Sequence, residues 1–491
     1  MEKLIGQTSV PIQGYAMYEI EKIFNRIIQR VNINLRDLAF DVSPFVRDHI
    51  NLEKMSEFYA FYGITTDIPL NLKFIHSGLA GSYFLGNCRI SNSLLYKSDI
   101  RGDELKRKGD TFQYKHFSID LAKDELIDIE TSALIKTLVH NYSHDPETPE
   151  RFFIKDTLAL DYSNIHGAPS DGCFLGSFAT IDLTTMSDCV IGQYSYIQAG
   201  EINHLNVEPG TIWVNSPGQF NFLYQYPIER LKQYIHCSPE KGPTGLLIDF
   251  IEARKDAFNT IFDAVNLEDT IKVPENASLD RYAVVLPSTT ISENVLVAQR
   301  AYLENSYLGR GANAQEHCFI INSRLEGGNV TAHGAKIIEA DLDEAVFVGF
   351  NSFLFGKPAH RLTIGKGCVI MPHTIIDSEE ALSIPQDTLV WGLVTNQQEL
   401  QENSISLENL KKIETHTNQG NMFFEGSGST FVQAFKDRIQ HILEVNGAFF
   451  HEHNNNVKGH AQNNRKLSLN NIQPFLFGNM QGVYPDITIL P

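Results

Sequence analysis

No stretch of the 491-residue chain approaches the roughly 18 to 20 continuous apolar residues that a membrane span needs. The N-terminus carries neither the basic segment nor the apolar run of a secretory signal, so the expected location is cytoplasmic. Positive charge is also scarce. Forty Lys and Arg against 59 Asp and Glu give a net charge of −19, which opposes general binding to nucleic acid or to an anionic membrane. The dinucleotide-binding glycine fingerprint and the phosphate-binding loop are missing, which argues against a nucleotide-transferring unit. The six cysteines, Cys88, Cys173, Cys189, Cys237, Cys318 and Cys368, have no paired short spacing. That excludes a zinc knuckle and a disulfide scaffold, and leaves each as a small packing thiol. With 42% hydrophobic and 20% charged residues, the composition is that of a globular protein with material for two or three structural units.

What the sequence does contain is a period. Apolar residues fall every sixth position at Val285, Ile291, Val297 and Leu303, then after a one-residue slip at Leu308, Ala314 and Ile320. The period continues at Val348 and Leu354, and again at Ile364, Ile370, Ile376 and Leu382. Helix faces repeat at about 3.6 residues and strand faces at about 2, so neither accounts for it. One aliphatic position per six, among small and turn-forming residues, encodes a parallel β-helix of hexapeptide turns. Each hexad makes one flat side of a triangular coil, three hexads close a coil of about 18 residues, and the aliphatic side chain points inward. Gly309 and Gly311, and Gly365 and Gly367, suit the corners.

Ile364-Gly365-Lys366-Gly367-Cys368-Val369-Ile370 and Val190-Ile191-Gly192-Gln193-Tyr194-Ser195-Tyr196-Ile197 resemble the hexapeptide-repeat proteins, most of them acyltransferases. The run from Ile384 to Gly392 resembles that family's last coil. The resemblance implies a left-handed β-helix, a donor that is acyl-CoA or an acyl carrier protein, and a histidine general base. It also implies that the donor's pantetheine arm lies along a prism between two subunits. Flat prism faces and an apolar N-terminal helix predict a homotrimer. Met186-Ser187-Asp188-Cys189 is similar to a family segment reading His-Asp-Cys, but Ser187 stands at the place of the histidine and cannot take a proton unaided at neutral pH.

A second similarity is to the γ-class carbonic anhydrases. Arg101-Gly102-Asp103 resembles their opening, where arginine and aspartate join neighbouring subunits, and Asn313-Ala314-Gln315-Glu316 and Val330-Thr331-Ala332-His333 resemble later segments. It implies a metal-dependent lyase with zinc or iron, and His317, His333 and His373 as ligands. It departs at Ile338, where a second histidine five residues after His333 is absent.

The expected organisation is a helical N-terminal region (1–73), a first β-helix segment (74–216) with an insertion at 104–160, and a helical insertion (217–280). The main β-helix segment (281–396) and a helical and irregular C-terminal extension (397–491) follow. Met17, Ile20, Phe24, Ile27 and Val31 share one face of a helix over 14–31, which packs on the prism. Shorter patterns predict helices at Thr131–Tyr142, Pro227–His236, Pro243–Val265 and Phe431–Val445. Phe475, Leu476 and Phe477 are expected to tie the end of the chain back to the body.

Polar departures from the repeat mark the candidate site. They are Asn313 to Cys318, Asn329 to Ala335, Phe350-Asn351-Ser352 and Met371-Pro372-His373-Thr374. His317 and His333 are 16 apart, which predicts neighbours on successive coils. His333, flanked by Gly334, is the preferred base for acyl transfer to an amine or hydroxyl of a small sugar- or amino-acid-like acceptor, with His317, Asn351 and Asn313 as binding or polarising groups. Arg310, Lys336, Lys357 and Lys366, with Arg324 and Arg361, supply the local positive charge that CoA phosphates or a carrier protein need. A non-catalytic trimeric scaffold is the third reading. Four histidines, His317, His333, His360 and His373, in one regular stretch favour a functional role.

Overall fold

The aliphatic rows become the interiors of two prisms. The computed structural model describes residues 12–46, 50–64, 70–114, 116–238, 241–258, 272–452, 455–473 and 482–490. The first prism runs from Ala60 to Gln225 in three mainly parallel sheets, which reach 12, 8 and 6 strands once the C-terminal strands His416–Gln419, Met422–Gly426, Ser468–Ile472 and Ile487–Ile489 are added. The second runs from Ser278 to Val394 in sheets of 8, 7 and 6 strands, the eighth strand being the antiparallel Ser404–Ser406.

Many coils are shorter than three full hexads, although the coil from Val284 to Tyr302 keeps all 18 residues and that from Phe353 to Ile375 takes 22. In the first prism strand partners such as Leu158 and Phe174, or Thr180 and Tyr196, are one coil apart at 16 residues. Interior side chains follow steps of five, five and six, as at Ile181, Met186, Ile191 and Ile197, all at most 1% exposed. In the second prism Leu303, Ile320, Ile337 and Leu354 stack at 17 residues. The slip between Leu303 and Leu308 is therefore one regular short side per coil, repeated at Ile320 to Leu325 and Ile337 to Leu342. Each buried isoleucine or leucine contributes about 2–3 kcal/mol. Gly309 meets the neighbouring coil so closely that a Cβ would lie 1.8 Å from the Glu326 carbonyl oxygen.

The five-residue step corrects two expectations. Residues 131–142 are not a helix but the strands Ala133–Ile135 and Leu138–His140. Leu134 and Leu138, and Ile135 and Val139, fall four apart and imitate a helix face, whereas Ile129, Leu134 and Val139 are successive interior positions of a coil, each fully buried. The insertion expected over 104–160 is accordingly smaller. A hairpin, Thr111–Tyr114 with Phe117–Asp120, leaves the prism, and the coil resumes at Leu126–Glu130.

The region 217–280 is also less helical than expected. Phe220–Gln225 pairs antiparallel with Thr211–Ser216, and among its described residues Ile228–Leu231, Leu246–Glu252 and 255–258 are helical. Ile261, Phe262 and Val265 lie outside the described residues, as do Phe475, Leu476 and Phe477. Near the end, Ser468–Ile472 and Ile487–Ile489 pair antiparallel with Ala60–Ile64 and Asn71–Ile75.

The helix Ile12–Asn34 buries Ile20, Ile23, Phe24, Ile27 and Val31 against Leu94, Ile135, Leu158, Phe174 and Val190 of the first prism. The prisms join through a continuous apolar layer that includes Tyr194, Tyr226, Phe319, Phe350, Phe353 and Trp391. Helix Gly428–Val445 adds Phe431, Val432 and Phe435 to it.

Candidate functional site

Positive φ recurs at the corners of the coils, and one column of such corners in each prism faces the other prism. In the second prism this column is Arg300, His317, Gly334, Asn351 and His373, with φ of 53, 60, 72, 50 and 57°. In the first it includes Gly81, Lys97, Lys136, Tyr162, Phe178 and Tyr194. The two columns face one another. Arg300 donates from Nη2 to the Gly81 carbonyl at 3.0 Å, Asn351 from Nδ2 to the Phe178 carbonyl at 3.3 Å, and the Tyr194 hydroxyl to the Asn351 carbonyl at 3.1 Å. Between them lies a cavity of about 620 Å³, which Ile248, Ile251 and Glu252 of the 217–280 region help to line. That volume suits a small-molecule ligand.

His317 stands on the cavity wall with its Nε2 2.6 Å from Asp99 Oδ2. Asp99 is fully buried and also accepts from Gln299 Nε2 and Arg300 Nε. Burial would raise its pKa, but Arg300 and His317 outweigh that and hold it below the usual value. A carboxylate can only accept, so it fixes the proton on Nε2 and leaves the lone pair on Nδ1, the arrangement a general base requires.

A second cluster lies where the prism faces meet. His140 and His166 occupy adjacent strands of the first prism in register, with Asp182 one coil beyond His166. His333 comes from the second prism. One ligand nitrogen from each ring lies within 4.8 Å of the other two, and all three residues are buried. His140 Nδ1 and His333 Nε2 are 3.3 Å apart. Each ring's other nitrogen has a carboxylate: His140 Nε2 with Asp103 at 3.4 Å, His166 Nδ1 with Asp182 at 2.7 Å, and His333 Nδ1 with Glu316 at 2.8 Å. Burial pushes His333 down to about 4 and lowers His166. Burial acts the same way on His140, but Glu104 and Asp103 overcome it and raise it to about 9. Arg101 pairs with both Asp103 and Glu316, so the Arg-Gly-Asp segment joins the two prisms of one chain. Arg438, on the helix Gly428–Val445, pairs with Asp182 at 2.6 Å.

The structure thus separates the expected site residues. His317, Asn351 and Lys336 line the cavity, while His333 belongs to the imidazole cluster. His317 and His333 are neighbours in sequence spacing but not in stacking, since a 17-residue coil puts Gly334 over His317 and His333 over Glu316. His373 is buried beside Tyr194, with its Nε2 2.9 Å from Thr180 Oγ1. Asn313 is fully buried and accepts from the Thr331 amide. Arg310 pairs with Glu452 at 3.0 Å, Lys357 with Asp377 at 2.6 Å and Lys366 with Glu344 at 2.5 Å, all on carboxylates outside the cavity. Sequence reasoning missed His140, His166, Asp99, Asp182 and Arg438. The 16-residue register between His166 and Asp182 was the available signal.

Two coiled prisms with polar corner columns define a hexapeptide-repeat protein. The family pattern described as "Hexapeptide repeat including loop" matches residues 117–239. A crystal structure from Desulfovibrio desulfuricans G20, of a protein provisionally called an acetyltransferase, shares 48% identity over 96% of this chain and 99% of that one, with a TM-score of 0.90. The bifunctional protein GlmU of Pseudoalteromonas atlantica is 25% identical over 161 residues, 31% of this chain, which spans about 34% of that relative's length. The chain belongs to the hexapeptide-repeat transferase family. No described helix is long and apolar enough to cross a membrane.

Proposed function

We propose that the protein transfers an acyl group from acyl-CoA or an acyl carrier protein to an amine or hydroxyl of a small acceptor in the inter-prism cavity. The observation that carries this reading is the His317–Asp99 pair on the cavity wall. His317 Nδ1 takes the proton as the acceptor's nitrogen or oxygen attacks the thioester carbonyl. The carbon–sulfur bond then breaks, and the departing thiolate receives a proton. Asn351 lines the same wall and positions the acceptor. The left-handed sense of the coils, a cytoplasmic location and a homotrimer belong to the same reading. One chain supplies both walls of the cavity. Release of thiol from acetyl-CoA in the presence of amine and hydroxyl acceptors tests the reading. No release with any acceptor, from protein that is folded, rejects it.

A second reading, a metal-dependent lyase, is favoured by the imidazole cluster. His140, His166 and His333 fit a metal ion once His140 gives up its proton: their facing nitrogens would then all carry lone pairs, and a carboxylate stands 2.7–3.4 Å from each outer nitrogen, the usual support for metal-bound histidine. Zinc or iron bound there would supply a Lewis acid able to generate hydroxide at neutral pH. Metal content per chain, followed by CO2 hydration, separates this reading from acyl transfer.

A further inference from the structure

Three lysines of the cavity wall, the buried Lys336, the half-buried Lys97 and the exposed Lys54, have no carboxylate within 4.0 Å among the described residues. Lys336 is 1% exposed, donates from Nζ to the Gly334 carbonyl at 2.6 Å and lies 5.3 Å from the centre of the Phe178 ring. The remaining cavity cations are matched: Arg300 by Asp99, Lys136 by Asp161 and Glu252, and Lys255 by Glu252. An ammonium buried without a counter-ion is costly, and that cost falls when a ligand brings the opposite charge. Burial alone pushes Lys336 down to about 7.

We propose that the small molecule taken up by this cavity bears an anionic group, carboxylate or phosphate, that pairs with Lys336 while its nucleophilic end faces His317. Both side chains line the same 620 Å³ space, and Lys97 extends the positive wall opposite. Naming this molecule as the acyl acceptor rests on the acyl-transfer reading; its charge does not.

The test is calorimetry on the full chain with glycerol 3-phosphate and 3-hydroxybutyrate as phosphate and carboxylate probes, and glycerol as the uncharged control. At least one anion should bind tenfold or more tightly than glycerol, and Lys336→Met should remove at least tenfold of that binding. The stronger of the two anions identifies the group. If neither anion exceeds glycerol, or if Lys336→Met binds both unchanged, the proposal is wrong. Methionine replaces a buried amine with an apolar chain of similar length, so a melting temperature at or above that of the parent is expected. Should that variant not fold, Lys97→Met is read instead, with at least a threefold loss expected and unchanged binding overturning the proposal. Thiol release is measured separately. Anion binding without it leaves the charge assignment standing and rejects acyl transfer, whereas release with uncharged acceptors alone, and no anion binding, does the reverse.

Discussion

Replacing His166 with alanine should abolish cation binding at the junction of the two prisms. His140 Nδ1 and His333 Nε2 are 3.3 Å apart. With metal–nitrogen bonds of about 2.0–2.1 Å, that separation subtends about 105–110° at the ion, the tetrahedral angle, without movement of either ring. His166 offers the third nitrogen within the same 4.8 Å cluster. Protein purified without chelator or affinity-tag metal should therefore carry about one zinc or iron per chain, and His166→Ala less than about a tenth of that. Asp182→Asn leaves all three rings in place but removes the charge 2.7 Å from His166 Nδ1. It should weaken binding by about 10- to 100-fold, or about 1.4–2.7 kcal/mol. Elemental analysis after dialysis gives the stoichiometry, and competition with a chromophoric chelator gives the affinity. Parent protein that arrives without metal and does not bind added zinc at equimolar concentration would refute the reasoning. The cluster would then be a buried stack in which His140 donates a proton to His333.

Three further outcomes are expected. His317→Gln should lower kcat for thiol release by about 100- to 10,000-fold while the fold is retained, and Asp99→Asn should also slow release by freeing the imidazole tautomer; release at the parent rate by either variant contradicts the assignment of the base. Gly334→Ala should destabilise by about 1–3 kcal/mol in urea, because φ is +72° and the new Cβ would lie 2.2 Å from Asn351 Oδ1. Burial pushes the Asp280 carboxyl up to about 6, only partly offset by the Tyr282 amide that it accepts. A carboxyl raised in the folded state above its unfolded value near 3.9 favours the folded state when protonated, and that advantage is lost as pH rises from about 4 through 6. Asp280→Asn should therefore stabilise by about 1–2 kcal/mol at pH 7.5, discounted for partial exposure, and by little at pH 4; thermal melts at the two pH values check the sign.

The second prism was legible because six-residue sides outnumber five-residue ones there, so long unbroken series survive in the sequence. The first was half-hidden because five-residue sides dominate, and Leu134, Leu138 and Val139 then pass for a helix face. The amphipathic N-terminal helix could be read directly, since Ile20, Phe24, Ile27 and Val31 need only a local period. The site was less accessible for a physical reason. His140, His166 and His333 meet across an interface between prisms, and a local repeat carries no information about how two prisms align. Asp99 and His317 lie 218 residues apart and become partners only once both corner columns are in place.

The facing corner columns also bear on how the cleft can change. In a two-fold symmetric assembly one substitution alters both walls of a cleft on the axis, because each wall is the same stretch of sequence in another copy. Here Lys97 and Phe178 lie on one wall and His317 and Asn351 on the other, at separate positions of a single chain. Drift on one wall does not force a change on its opposite, so the cleft can lose its symmetry one residue at a time and come to fit a lopsided molecule, with recognition gathered on one side and proton transfer on the other.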